Sequence, residues 1–228
     1  VEIGEVMRGG TVSEVIESQH PDYDEGDLVF GMGGWQDYCL LGPKQLPMKL
    51  PPDLSLPPSV FLSVLGITGL TAYFGLLDVG QPKAGETVVV SAAAGAVGSI
   101  VGQLAKLHGC RVVGTAGSAE KCAWIRDELG FDAAINYREQ ELGAALREAC
   151  PNGIDLYFDN VGGDTLNQVL AQINIGARVV LCGAISQYNA TSPAPGPSNY
   201  IMLLLKRARM EGFIVTDFAA RFPEGIGQ

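Results

Sequence analysis

Basic residues are scarce in this chain. Lys and Arg number 15 against 25 Asp and Glu, which leaves a net charge of −10 over 228 residues. That balance excludes the broad basic face that nucleic acid or an anionic membrane surface needs, while leaving room for a local pocket that takes phosphate. Histidine is nearly absent: only His20, ahead of a proline in a polar loop, and His108, at a predicted helix end. Neither has a second ligand-type residue beside it, so no metal centre is expected. The five cysteines, Cys39, Cys110, Cys122, Cys150 and Cys182, lack paired spacing. Scattered thiols of this kind point to a reduced, cytoplasmic protein rather than a disulfide scaffold. No apolar run is long enough to span a bilayer and no leader peptide is visible, so no membrane partner is expected. The chain opens without Met and stops at Gln228 without a terminating signal, so a longer parent is expected.

What is present centres on Thr87 to Ser118. A β-branched run, Thr87 to Val90, leads into a small-residue turn from Ser91 to Gly98. A helical pattern follows, with apolar Val97, Ile100, Val101, Leu104 and Ala105, and then a second β-run, Arg111 to Thr115. Strand, glycine turn, helix and strand make the opening unit of a dinucleotide-binding fold. The turn is a variant of G-x-G-x-x-G, with Ala93 in the first glycine place and Gly95 and Gly98 in the others. Its value comes from its position between a strand and a helix. Gly95 would let a pyrophosphate come close to the backbone, Gly98 would let the helix pack tightly, and the helix N-terminus would hold the phosphates. Ala93 fits only if that residue needs no positive φ.

An acid is missing where an NAD site wants one. About 20 residues past the turn an Asp or Glu would accept from the ribose hydroxyls, but Ala116-Gly117-Ser118 stands there, followed by Lys121. A neutral loop and a lysine suit the extra 2′-phosphate of NADP(H).

Before this unit the chain reads as short strands: Thr11 to Glu17, Leu28 to Gly31, and Trp35 to Leu40. Six prolines between Pro43 and Pro58 forbid a regular helix or central strand and mark a domain linker. Val60 to Val79 is predicted helical, with Gly66 and Gly69 permitting close approach. Beyond the central unit, helices are predicted over Glu120 to Leu129, Glu139 to Cys150, Asp164 to Ile173 and Tyr200 to Arg207. Strands are predicted over Ala133 to Tyr137, Ile154 to Asp159, Arg178 to Cys182 and Met210 to Val215. The result is an α/β fold, a doubly wound parallel sheet of six strands with helices on both faces. Its ligand groove should lie past the carboxyl ends of the strands. There stand Gly95, Gly117-Ser118, Tyr137, Asn160 to Gly163, Gly183 to Asn189, and Phe213 to Val215. The stretch Thr191 to Pro197, rich in Pro and Ser, is expected to act as a lid.

These residues fall into motifs that carry a resemblance: WQDY (Trp35 to Tyr38), GITGLTAYFGL (Gly66 to Leu76), AAAGAVGS (Ala92 to Ser99), EKC (Glu120 to Cys122), INY (Ile135 to Tyr137), YFDNVGG (Tyr157 to Gly163), CGAISQYN (Cys182 to Asn189) and EGFIV (Glu211 to Val215). The chain resembles the zinc-independent medium-chain dehydrogenase/reductases of the leukotriene B4 12-hydroxydehydrogenase and prostaglandin reductase type, which include bacterial curcumin and alkenal reductases. The resemblance implies part of a GroES-like β-barrel catalytic domain and its linker over 1–58, and a Rossmann domain over 59–228. The barrel's first strands and a C-terminal return segment would lie outside the chain. It implies cofactor contacts from Gly95, Ala96, Val97 and Gly98 to the pyrophosphate and from Lys121 and Tyr137 to the 2′-phosphate end. Asn160, the loop Cys182, Gly183, Ala184, Ile185, Ser186 and Tyr188, and Phe213, Ile214 and Val215 would lie toward the nicotinamide. Cys182 would contribute backbone.

The implied reaction is NADPH-dependent reduction of the carbon–carbon double bond of a small enone or enal. Tyr188 is the candidate donor to the enolate oxygen. A homodimer is expected. A quinone oxidoreductase of the same superfamily and a non-catalytic NADP-binding module are the alternatives.

Overall fold

The computed structural model describes residues 1–42, 45, 47–52, 56–192 and 195–227. The chain divides into two units, Val1–Thr68 and Gly69–Gln228.

In the first unit, β1 (Thr11–Glu14), β2 (Leu28–Gly31) and β3 (Met48–Lys49) form an antiparallel sheet in that order. Val12 pairs with Phe30 and Phe30 with Met48. β1 ends at Glu14, three residues before its expected end, and Val15 instead closes a turn by bonding Asp27 and Gly26 through the backbone. The strand expected over Trp35 to Leu40 is not formed. Gly34, at φ 76°, turns the chain there, and Trp35 N–H bonds back to the Met7 carbonyl. With no ladder to join among the described residues, its alternating pattern has nothing to stabilise it. The proline-rich linker lies partly outside the described residues.

The helix expected over Val60 to Val79 breaks into pieces. A 3₁₀ turn covers Pro58–Leu62, α1 covers Ile67–Phe74, and α1 runs directly into a π-helical turn, Gly75–Gly80. The chain doubles back at Gly66, where a Cβ would stand 2.0 Å from the Phe61 carbonyl oxygen. At Gly75 a Cβ would stand 2.4 Å from the Phe213 ring, so the glycine admits that ring against the widened turn.

The second unit then alternates: β4 (Thr87–Val90), α2 (Ala96–Leu107), β5 (Arg111–Ala116), α3 (Ala119–Asp127), β6 (Ala133–Asn136), α4 (Leu142–Ala149), β7 (Ile154–Asp159), α5 (Gly163–Leu170), β8 (Ile173–Leu181), α6 (Ile201–Lys206), β9 (Arg209–Gly212) and α7 (Phe222–Ile226). All six strands are parallel, in the order β6-β5-β4-β7-β8-β9. This is the expected doubly wound sheet.

Strand alternation divides the core in two. Val88, Val90, Val112, Leu156 and Phe158 pack with α2 and Phe131 on one face. Val89, Val113, Tyr157 and Val179 pack with α4 and α5 on the other. Both faces are covered, which is why these strands read as unbroken apolar runs. Each fully buried Val or Leu contributes about 1.5–3 kcal/mol.

Several boundaries differ from the sequence expectation: α3 ends at Asp127, β6 at Asn136, and α4 begins only at Leu142. α5 stops at Leu170, and Ile173 opens β8 instead of closing the helix. β8 is long because Gly176, at φ 77°, and a register shift opposite Ile154 and Leu156 let it bend and still pair. β9 ends at Gly212, and Val215 begins a 3₁₀ turn, Val215–Arg221. Within the expected lid, Pro193 and Ala194 lie outside the described residues.

Candidate cofactor groove

Strand order reverses between β4 and β7, so the groove opens where their carboxyl ends part. At the end of β4 the residue in the left-handed region is Ala92, at φ 49°, one place before Ala93. Gly95 is the N-cap of α2, in an extended conformation. A Cβ at Gly98 would stand 2.5 Å from the Ala92 oxygen and 2.9 Å from the Ala93 Cα, both backbone, so this helix turn closes on the loop only with glycine. The first N–H groups of α2, including those of Ala96, Val97 and Gly98, have no partner within the helix and face the groove end of the sheet as an anion site.

The end of β5 lies to one side of this turn. Ser118 caps α3, its Oγ accepting the Lys121 N–H at 3.3 Å. Across from it β6 ends at Asn136. The Asn136 Oδ1 accepts the Arg138 N–H, and the Gln140 Oε1 accepts the Asn136 N–H. This tight turn throws Tyr137 and Arg138 over Gly117: a Cβ there would lie 2.8 Å from Tyr137 Oη and 3.3 Å from Arg138 Nε. Neither the Lys121 ammonium nor the Arg138 guanidinium has a hydrogen bond or ion pair among the described residues. The Arg138 guanidinium and a phenol hydroxyl therefore stand beside a glycine with no acid next to it in the chain, donors suited to a phosphate monoester, and the Lys121 ammonium is likewise uncommitted in the first turn of α3. Arg138 is the residue that sequence reading passes over. Its only signal was its place one residue beyond Tyr137.

On the other side, one carboxylate organises the loops. Asp159 Oδ1 accepts from Ser91 Oγ at 3.1 Å, Tyr157 Oη at 2.8 Å, and the N–H groups of Val161 and Gly162 at 2.9 Å each. Asn160 spends its Nδ2 on the Ser91 carbonyl and its N–H on Ser91 Oγ. The loop after β8 hangs from the same strand end, since Cys182 and Gly183 N–H groups bond the Asp159 carbonyl and the Ile185 N–H bonds the Asn160 carbonyl. Ser186 Oγ donates to the Val161 carbonyl at 2.6 Å. Ile185–Gln187 forms a 3₁₀ turn, and exposed Tyr188 follows it. The Ala184 N–H donates to Tyr188 Oη at 3.3 Å, which leaves the phenol proton free to be given elsewhere. Burial, with the Asp159 charge beside it, pushes the Cys182 thiol up to about 11, so its sulfur is not a nucleophile near neutral pH.

A cavity of ≈ 1140 Å³ opens past the ends of β7, β8 and β9, lined by Cys182, Gly183, Ala184, Ser186, Phe213 and Ile214 among others. It does not take in Gly95 to Gly98, Lys121, Tyr137, Asn160, Ile185, Tyr188 or Val215. The candidate residues thus fall into three clusters along one sheet edge: the head of α2, the rim at Gly117, and the β7–β8 loops. The Phe213 ring lies against Gly75 and, at 6.4 Å between centroids, against Phe218.

The family model described as zinc-binding dehydrogenase matches residues 96–227, and one described as the N-terminal domain of oxidoreductase matches 1–48. The chain is 51% identical over 229 residues to NADPH-dependent curcumin reductase of Escherichia coli, covering 98% of this chain and 66% of that one. It is 47% identical to 2-alkenal reductase (NADP(+)-dependent) of Nicotiana tabacum, covering 97% and 64%. It therefore spans about two thirds of the length of these relatives. The crystal structure of CurA from Vibrio vulnificus in complex with NADPH superimposes with a TM-score of 0.90 at 48% identity, over 100% of this chain and 68% of that one. The residues here do not fit the zinc of the family's description, because among the described residues no three His, Cys, Asp or Glu side chains come together to hold a metal. A six-stranded doubly wound sheet and a glycine turn at its switch point agree with these likenesses: the chain belongs to the zinc-independent medium-chain dehydrogenase/reductase family.

Proposed function

We propose that this chain serves the NADPH-dependent reduction of the carbon–carbon double bond of α,β-unsaturated ketones or aldehydes. The observation that carries the reading is likeness over the whole chain to a CurA structure holding NADPH, with groove-lining loops built from its own residues. NADPH, when bound, supplies the hydride that reaches the β-carbon of the substrate. The chain's residues do the rest. Gly95 to Gly98 hold the pyrophosphate, and Lys121, Tyr137 and Arg138 hold the 2′-phosphate. The backbones of Cys182 to Ser186 and of Phe213 to Val215 line the nicotinamide end beside Asn160. Negative charge then collects on the carbonyl oxygen, where Tyr188 Oη donates a hydrogen bond. The α-carbon takes its proton from Tyr188 or from water, which closes the balance.

Residues 1–58 are read as part of the barrel domain with its linker, and 59–228 as the cofactor domain. Two further readings belong with this one. Exposed Ile201, Leu204 and Leu205 on α6, with exposed Tyr200 just before it, and the edge position of β9 support a homodimer. Five free thiols support a reducing, cytoplasmic setting.

The test is oxidation of NADPH by the purified protein with a small enone, run beside NADH and beside a quinone. Enone-dependent turnover that prefers NADPH supports the proposal. Turnover with the quinone alone moves the protein to the quinone oxidoreductases, and tight NADPH binding with no turnover makes it a binding module.

A further inference from the structure

The crevice between β4 and β7 is closed from beneath by polar side chains that the sequence motifs do not assign. Ser91, Tyr157 and Asp159 are fully buried. A carboxylate at zero exposure is costly unless every donor near it is spent on it, and here four donors converge on one oxygen, Asp159 Oδ1. Ser91 stands in the middle of the chain of bonds. Its Oγ gives a proton to Asp159 and takes one from the Asn160 N–H, while its carbonyl takes the Asn160 Nδ2–H.

The next residue is Ala92, the one non-glycine of the cofactor turn with positive φ. A side chain in that region carries a strain of about 1 kcal/mol or more and persists only where its neighbours are held. Both neighbours are held: Ser91 by its Oγ, between Asp159 Oδ1 and the Asn160 N–H, and by its carbonyl on Asn160 Nδ2, and Ala93 by its N–H bond to the Thr115 carbonyl. The strained turn then presents its carbonyl to the Gly95 N–H at 2.8 Å and sets where α2 begins. From the other side of the crevice, the Asp159, Asn160 and Val161 carbonyls hold residues 182–186.

We propose that Ser91 and Asp159 are positioning residues of the cofactor site: their buried bridge locks the pyrophosphate turn and the nicotinamide-end loop into one register across the switch point. The lock rests on the NADPH reading above. Both side chains are fully buried, and the lock acts through Ala92, Asn160 and the β8 loop.

Asp159→Ala would strand four buried donors and risks misfolding, so the test uses Ser91→Ala, which leaves three donors on Asp159. Binding is measured by calorimetry with NADPH and with adenosine 2′,5′-bisphosphate, which lacks the nicotinamide half. Ser91→Ala should weaken NADPH roughly tenfold, the scale of one hydrogen bond to a charged acceptor, and the bisphosphate by roughly twofold or less, since that ligand is held mainly at Lys121 and Arg138. Adding Ala92→Gly should restore most of the NADPH affinity, because glycine holds φ 49° without the strap. Native NADPH affinity in Ser91→Ala overturns the lock. So does equal weakening of both ligands, or failure of Ala92→Gly to rescue; either would make the bridge merely structural. A wild-type protein that binds NADPH yet reduces no enone sinks the proposed reaction alone, and the lock is still decided by these affinities. Failure of the wild type to bind NADPH overturns both.

Discussion

On the proposed reading, charge near Gly117 sets the preference for NADPH over NADH. Arg138 stands beside Gly117, and neither it nor Lys121 has an acidic partner among the described residues. Lys121→Ala and Arg138→Ala should each raise the KM for NADPH by about tenfold, the value of one charge-assisted hydrogen bond. NADH kinetics should hardly change. The ratio of kcat/KM for the two cofactors checks this, and an unchanged ratio in Arg138→Ala would remove that residue from the site. Cys182 gives a second test at this scale. Its thiol is raised to about 11, so iodoacetamide should label it slowly near pH 7.5, behind exposed Cys39, and faster above about pH 10. Rapid neutral labelling of Cys182, read by peptide mass spectrometry, would contradict that environment. Lys121 and Tyr137 were nameable as candidates because each follows a strand end that the sequence announces. Arg138 was not, because an arginine after a tyrosine reads as ordinary surface. Only the Asn136 side chain, bonding the Arg138 N–H, brings it over Gly117.

At the scale of elements, α2 is fixed by two glycines with different tasks. Gly98 meets backbone, and Gly102 meets a ring: a Cβ on it would stand 1.9 Å from Phe131 Cζ. Gly102→Ala should cost about 1–3 kcal/mol by overpacking, seen as a lower Tm with cofactor affinity kept. Gly98→Ala should also lose cofactor affinity, because the Ala92 and Ala93 backbone has to move. Element type was legible wherever a period ran long, as in α2 and in all six strands of the parallel sheet. It failed where tertiary contacts set the path. The run from Val60 to Val79 has a helical pattern, yet the reversal against Phe61 at Gly66 and the Phe213 ring at Gly75 cut it into three forms. Trp35 to Leu40 alternates like a strand but has no ladder to join among the described residues.

Across the second unit, the groove is at one end of the sheet and a charged clamp is at the other. Arg178 forms a two-point ion pair with Glu86, its NH1 and NH2 standing 2.8 and 2.6 Å from the carboxylate oxygens, and also donates to the carbonyls of Gly80, Gln81 and Asp155. It ties the π-helical turn, β7 and β8 together. Burial alone would raise the Glu86 carboxyl, but the bonds from Arg178 and the Lys83 N–H outweigh it and hold it below its ordinary 4.5. Asp132 is likewise held low by Lys106 and the Val112 N–H against the effect of burial. A depressed carboxyl adds stability that is full above its unfolded value and is lost as pH falls through the folded one. Unfolding free energy should therefore be flat near neutrality and decline below about pH 4.5. Glu86→Gln should cost about 3 kcal/mol at pH 7 by leaving Arg178 largely buried and unpaired, and it should flatten the acid decline. Denaturant titrations at several pH values check both, and an undiminished acid slope in the variant would show that Glu86 is not a source of it.

The sequence by itself determined the alternation of strands and helices, the six-strand count, the glycine turn and the absence of an acid where NAD would want one. Each of these is local: a period of two or 3.6 residues, or a residue type at a fixed distance from a strand end. What only the tertiary structure decided is everything joined across strands. Ser91 and Asp159 stand 68 residues apart, and Glu86 and Arg178 stand 92 apart. No spacing rule connects such pairs. They meet because the sheet order places β4 beside β7 and β7 beside β8, and because a buried charge there is stable only with its donors gathered around it.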